Sequence, residues 1–472
     1  MSHKVIMDVK SGSVESNIEN SSNSADKKQD IAWPSSLYAN YVLGVFTFTY
    51  IVAFIDRQIF VLLIEPIKRD MGMNDTQVSL VAGFSFTLSY ILMGIPLAWL
   101  ADRGNRSRLL SMGVAFWSVM TAFCGIAKTF GQLTLARVGV GFGEAVLHPC
   151  VFSMISDYFP PKRLGRAVGI YMSAIAIGSG LAMLVGGGVL ELAIRFPNPV
   201  LPLIGEVRSW QFAFIFVSML GIIAIGLMAT VKEPTRRYSA HIQGPDQDGK
   251  DKASPLATLN YIIANWQVYA SVLGGFAMLD LVKNAIVVWT PSLYIRTYGW
   301  DASSIGYTFG IILLIFGPLV AFSGGWLTDK LRQRGYLDAP IRVVMFACIL
   351  ITPLTLLMPL MPSPVISQLL LSALMVLTFA VMAVIPATLQ LVTPNQFRAQ
   401  VIALSILIGG IVGFGGGPLI VALVTNFIFG DDMALRYSLS IVTAVSAPLA
   451  ALIFYSGLKS FRANMERLDQ GI

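Results

Sequence analysis

Twelve times along the chain an apolar run of roughly 20 or more residues appears, the length a helix rising about 1.5 Å per residue needs to cross a hydrocarbon layer about 30 Å thick. The runs cover residues 38–64, 77–101, 108–128, 130–156, 165–193 and 210–231, then 264–295, 302–328, 341–361, 366–393, 397–425 and 436–458. Lipid offers no water to an open backbone amide, so each run is held as a helix whose hydrogen bonds close within itself. Composition agrees, with 55% hydrophobic and 12% charged residues against about 25% charged in soluble domains. The fold class expected is an all-α membrane protein of twelve transmembrane helices in two six-helix bundles.

The polar stretches divide the chain. Residues 1–36 are rich in Ser, Asn, Asp and Lys and read as a disordered cytoplasmic tail. A first bundle over 37–231 is followed by a polar, Pro- and Gly-bearing cytoplasmic linker over 232–259, a second bundle over 260–460 and a cytoplasmic tail over 461–472. With both termini inside, 23 Lys and Arg fall in inside segments, seven in outside segments and three within spans. That bias is the positive-inside rule and puts both termini in the cytoplasm; the membrane expected is the plasma (cell inner) membrane. It also accounts for the net charge of +7 without nucleic acid. The halves repeat: an offset of 227 carries Asp102 onto Asp329, Asp56 onto Lys283 and Arg57 onto Asn284. Asp75 and Asp301, one residue out of that register, read as N-caps of the helices leading to the repeated charges.

Several chemistries are excluded. Cys124, Cys150 and Cys348 lie inside apolar runs with no metal-ligand or disulfide spacing. Neither a Gly-x-x-x-x-Gly-Lys-Ser/Thr phosphate loop nor a Gly-x-Ser-x-Gly elbow occurs. No enzyme, cofactor or metal is expected.

Charge within a span is costly and marks functional positions. Asp56 and Arg57 are adjacent in the first span and point about 100° apart, so each needs a partner on another helix. Arg137, Glu144 and His148 fall on one stripe of the fourth span, and Asp280 and Lys283, three apart in the seventh, can pair. A carboxylate deprived of water and set beside a guanidinium can exchange a proton, which suits Asp56 and Glu144 to proton coupling; the same groups can instead form fixed pairs such as Asp56 with Arg137. His148 reads as a relay or as a hydrogen-bonded packing residue. Where the second span ends, Asp102, Arg103, Arg106 and Arg108 crowd into a short loop, echoed by Asp329 and Lys330. Such a cluster can latch helix ends together as a cytoplasmic gate. Glycines, notably Gly178, Gly180, Gly186 and Gly187 in the fifth span and a run from Gly409 to Gly417 in the eleventh, allow close, sliding helix contacts.

The segment Trp99-Leu-Ala-Asp102-Arg103-Gly-Asn-Arg106-Ser-Arg108 resembles the loop motif of the major facilitator superfamily, with Ala98 and Asn105 standing where glycine is usual. Arg137-Val-Gly-Val-Gly141-Phe-Gly143-Glu144-Ala145, the Gly178-Ser-Gly180 stretch and the Asp56-Arg57 pair resemble segments of its Spinster branch. That resemblance implies a proton-coupled secondary transporter of lysolipid or sphingoid-like substrates; a monomer is expected. It further implies Asp56 and Glu144 as the protonatable groups and Arg57 or Arg137 as partner of an anionic substrate. Few central charges among apolar residues suit an amphipathic anion; the alternative is an organic-anion or aromatic-acid carrier of the same fold.

Overall fold

In the computed structural model eleven helices among the described residues are long and apolar enough to cross a membrane, and a further helix carries a shorter apolar stretch over Ala302–Phe316. The structure describes residues 33–195, 200–201, 205–236, 255–394 and 396–469. The expected tail up to residue 32, linker residues 237–254 and residues 470–472 lie outside the described residues.

The first six spans are α1 (Ser36–Leu62), α2 (Asp75–Arg103), α3 (Arg106–Ile126), α4 (Phe130–Tyr158), α5 (Pro161–Arg195) and α6 (Ser209–Ala229). The second six are α7 (Trp266–Tyr298), α8 (Ala302–Gln333), α9 (Ala339–Leu360), α10 (Pro364–Val392), α11 (Gln400–Phe429) and α12 (Leu435–Asp469). The chain is thus an all-α, twelve-helix, multi-pass membrane protein. Residues 461–469, expected as tail, continue α12 and bury Phe461 and Met465. The linker starts without regular structure at Lys232–Arg236 and is helical at Pro255–Ala264.

Short side chains start the helices by occupying amides that have no partner in the first turn. Asn105 accepts from the Arg108 amide, Thr129 from Gln132 and Asp301 from Ser304. Asp75 departs from its expected role. Asn74 caps α2, in a reciprocal box with Gln77, and Asp75, one residue inside, is fully buried and turned to other helices. At Gly299 the chain leaves α7 with φ 67°, a left-handed turn that glycine enters without Cβ strain.

Two seams join the halves. Along α5 and α8, a Cβ on Gly180 would sit 3.0 Å from the Gly310 carbonyl oxygen, and one on Gly306 would sit 2.9 Å from Gly187 Cα, so glycine meets glycine with nothing between. Gly178 and Gly186 face the other way, onto Phe54, Ile59 and Leu62 of α1. Along α2 and α11, a Cβ on Gly83 would lie 2.6 Å from the Phe414 carbonyl oxygen. Both helices widen there into π-helical turns, Leu80–Phe84 and Gly409–Gly416, a local unwinding often found at functional positions.

Candidate functional site: buried charge between helices and at the two ends

α1 presents its two charges to different neighbours. Asp56 accepts from Arg137 Nη1 of α4 at 3.2 Å and from the Thr121 hydroxyl of α3. Arg57 donates from Nε to Glu144 Oε2 of α4 at 2.5 Å. Asp56, Arg137 and Glu144 are buried while Arg57 is partly exposed, and Arg137 Nε and Nη2 and Glu144 Oε1 are buried without a hydrogen-bond partner. Leaving such atoms unmet costs on the order of 1–3 kcal/mol each, so the cluster holds spare bonding capacity. The Arg57 guanidinium also sits among the rings of Phe54, Phe86 and Tyr90, at 5.2, 4.8 and 5.1 Å, where the ring faces attract its charge.

α4 breaks after Glu144 and resumes at Leu147, which sets His148 beyond the charged pairs. Its Nδ1 meets the Tyr90 hydroxyl at 2.6 Å and its Nε2 the Tyr50 hydroxyl at 3.0 Å. One of these tyrosines donates and the other accepts, because a neutral imidazole has one N–H. Tyr50 stacks on Tyr171 at 4.8 Å. In the second half Lys283 pairs with Asp280, and Asn284 donates to the Asp280 carbonyl at 2.8 Å, so this charge is closed within α7. Trp289 and Tyr294 of α7 are buried in the packing, with Trp289 donating to the Pro418 carbonyl at 2.9 Å. Phe142 is exposed against Phe116.

The loop-motif charges bond within their own half. Arg106, 2% exposed, donates to Asp157 at 2.6 Å, Ser153 at 2.7 Å and Glu233 at 2.7 Å. Glu233 also takes the Ser107 amide at 2.8 Å, and Arg236 caps the α2 carbonyls of Ala101 and Gly104 at 2.8 and 2.7 Å. The start of the linker is therefore fastened to the motif. Arg103 lies 3.9 Å over the Trp99 ring, and the side chains of Asp102, Arg108 and Asp329 are exposed. In the second half Asp338 gathers Arg342 at 2.8 Å and Arg462 at 2.6 Å. Burial pushes its carboxyl up, but the two guanidiniums more than offset this and hold it below the usual range.

The opposite end is fastened across the halves. Asp75 of α2 takes both Arg296 terminal nitrogens from α7, at 2.8 and 2.7 Å, together with Lys68. Arg296 Nε reaches Glu65 at 2.9 Å, and Lys68 reaches Asp432 at 2.8 Å. Asn426 donates to Thr76 at 2.9 Å, and Ser79 to the Pro418 carbonyl at 3.3 Å, in the same region. A depression of about 1210 Å³, walled by residues including Glu65, Asp70, Arg208 and Asp301, lies at this end. Sequence reasoning missed Glu65, Lys68, Arg296 and Asp432 as partners because they sit at helix ends, where charge is ordinary. It missed Thr121 because a lone threonine in an apolar span is common.

Two six-helix halves, seamed by glycine and enclosing charge, define a membrane carrier. The family model of the Major Facilitator Superfamily matches residues 46–418, and the chain belongs to that family. It is a membrane transporter of small-molecule substrates rather than an enzyme, and it resembles the Spinster branch. A crystal structure of a bacterial homolog of the human lysosomal transporter Spinster, inward-facing and unoccupied, matches with a TM-score of 0.78 at 25% identity, over 91% of this chain and 99% of that one. An MFS-type efflux pump of Mycolicibacterium smegmatis is 24% identical over 430 residues, 90% of this chain and 93% of that protein. A probable L-galactonate transporter of Escherichia coli is 26% identical over 301 residues, 62% of each protein.

Proposed function

We propose that the chain is a proton-coupled secondary transporter, monomeric in the plasma (cell inner) membrane, that moves an amphipathic, anionic or lipid-like substrate by alternating access. The motif end and both termini face the cytoplasm in this reading, so the ion-paired end is the closed outer gate. The observation that carries the reading is the Arg57–Glu144 pair, in which a buried carboxylate keeps one oxygen unpartnered. Protonation of that oxygen removes the charge that holds Arg57 and frees the guanidinium for the anionic group of a substrate. Asp56, tied to Arg137 and Thr121, is the second protonatable group. Release of the proton restores the Arg57–Glu144 pair and expels the anion, while the glycine seams let the halves rock. Asp102, Arg103, Arg108 and Asp329 are exposed here and act as the cytoplasmic gate in the opposite state; the self-paired Asp280 and Lys283, with the amide of Asn284, are the second half's polar contribution to the cavity.

Support for a lipid-like substrate is the Spinster resemblance together with the apolar, aromatic surroundings of Arg57. The L-galactonate relative favours the second reading, a carrier of small organic anions. One experiment separates them. Proteoliposomes holding the purified chain are given a lysophospholipid or L-galactonate, with and without an imposed pH gradient. Gradient-driven movement of the lysophospholipid alone is expected, and Glu144→Gln is expected to abolish the response to the gradient. Gradient-driven movement of L-galactonate alone would replace the lipid reading, and unaltered coupling in Glu144→Gln would remove Glu144 from its role.

A further inference from the structure

The glycines of α11 are not interchangeable. Gly409, Gly413 and Gly417, one turn apart, face α7: a Cβ on Gly409 would lie 2.9 Å from the Phe276 ring, and one on Gly417 would lie 2.6 Å from the Leu281 carbonyl oxygen. Gly413 meets something else. A Cβ there would collide with the Asp280 carboxylate, coming within 2.6 Å of Cγ and 2.8 Å of Cβ. Asp280 is 6% exposed and holds Lys283 through its other oxygen, Oδ1. The carboxylate therefore has nowhere to retreat without breaking that pair or lifting α11 off α7. The adjoining face of the same π-helical segment touches the first half: a Cβ on Gly410 would sit 3.0 Å from Ile91 and 3.2 Å from Thr87 of α2. The Phe414 carbonyl is the atom that Gly83 accommodates.

We infer that Gly413 is a positioning residue whose bare backbone seats the Asp280 carboxylate, linking the Asp280–Lys283 pair to the α2–α11 seam between the halves. The inference rests on the reading that the halves rock about a central cavity. Any change at the pair, such as an anion drawing Lys283 away, alters how Asp280 lies on α11 and is felt at the seam. A side chain at 413 forces the same displacement without a substrate.

The test needs neither substrate nor proton gradient, so its failure is distinct from failure of the transport reading. With Cys124, Cys150 and Cys348 replaced, Asn426→Cys places one thiol in the seam opposite Thr76, and a membrane-impermeant maleimide reports its exposure from the outer side. Gly413→Ala is expected to change the labelling rate by about fivefold, and by less than about 1.5-fold in the Asp280→Ala background, because coupled neighbours do not add. Equal effects in both backgrounds, or none in either, would overturn the inference. Should Gly413→Ala fail to yield folded protein, the Gly413→Ala/Asp280→Ala double variant is expected to recover a single peak on size exclusion. Absence of that recovery would overturn it as well.

Discussion

The two ends of the molecule hold their charge differently. At the motif end Arg106 with Asp157 and Glu233, and Asp338 with Arg342 and Arg462, each tie together helices of one half. At the other end Arg296 binds Glu65 and Asp75, and Lys68 binds Asp432, across the division. Clusters of the first kind make a half rigid; those of the second kind make one arrangement of the halves favourable. A carrier needs both, since rigid halves turn a local change of contact into a rocking motion, and the cross-half bonds must be weak enough for a differential interaction elsewhere to offset them.

The contrast breaks most sharply at Asp75. Asp75→Ala leaves Lys68 and Arg296 buried without their shared carboxylate, a loss of about 3–5 kcal/mol. Labelling of Asn426→Cys from the outer side is expected to rise by about 100-fold or more, as each 1.4 kcal/mol is about tenfold; an unchanged rate would mean that these ions do not hold the end shut. Arg106→Ala comes next. It removes the buried guanidinium shared by Asp157 and Glu233 and is expected to destabilise the chain by about 2–4 kcal/mol, read as a lower Tm in detergent, with the Asn426→Cys labelling rate unaltered. A matching rise in labelling would erase the distinction between the ends.

Asp301→Ala tests the start of α8 without touching the cross-half ions and is expected to cost about 1 kcal/mol, the usual worth of a helix cap. Hydrogen bonds from Ser303 and Ser304 pull the Asp301 carboxyl down to about 2. A depressed folded-state value gives a contribution fully present above the unfolded value of about 3.9 and lost as pH falls through about 2. The Tm difference between the original chain and Asp301→Ala should therefore be constant from pH 7 to 5 and shrink as pH falls from about 4 toward 2. The smallest effect is expected from Asp432→Asn. Its side chain is 56% exposed, so the pair with Lys68 is worth at most about 1 kcal/mol and is screened by salt. Labelling should rise less than about fivefold, with the difference vanishing in 1 M salt.

Much of this was legible in the chain. Twelve apolar runs mark the spans, and adjacent Asp56 and Arg57, unable to share a face, point to two different partners, which the structure identifies as Arg137 and Glu144. Asp75 shows where such reading stops. An acid at a helix start reads as a cap, yet Asn74 beside it does the capping and the acid binds α7, 221 residues away. Nothing local distinguishes the two, because either residue can accept a backbone amide. The motif was legible only in kind: its crowded charges suggest bonds between helix ends, and the structure supplies the partners of Arg106, Asp157 and Glu233, which no local pattern names.

Sequence alone determined which segments enter the membrane, because transfer into lipid depends on the length and polarity of each segment by itself. It also determined that the few charges inside would need partners. Only the tertiary structure decided which partner each charge takes, which glycine faces which helix and which end is fastened across the halves. Those choices depend on how helices far apart in the chain cross and rotate against one another, and on ion pairs whose worth is set by the surroundings in which they meet.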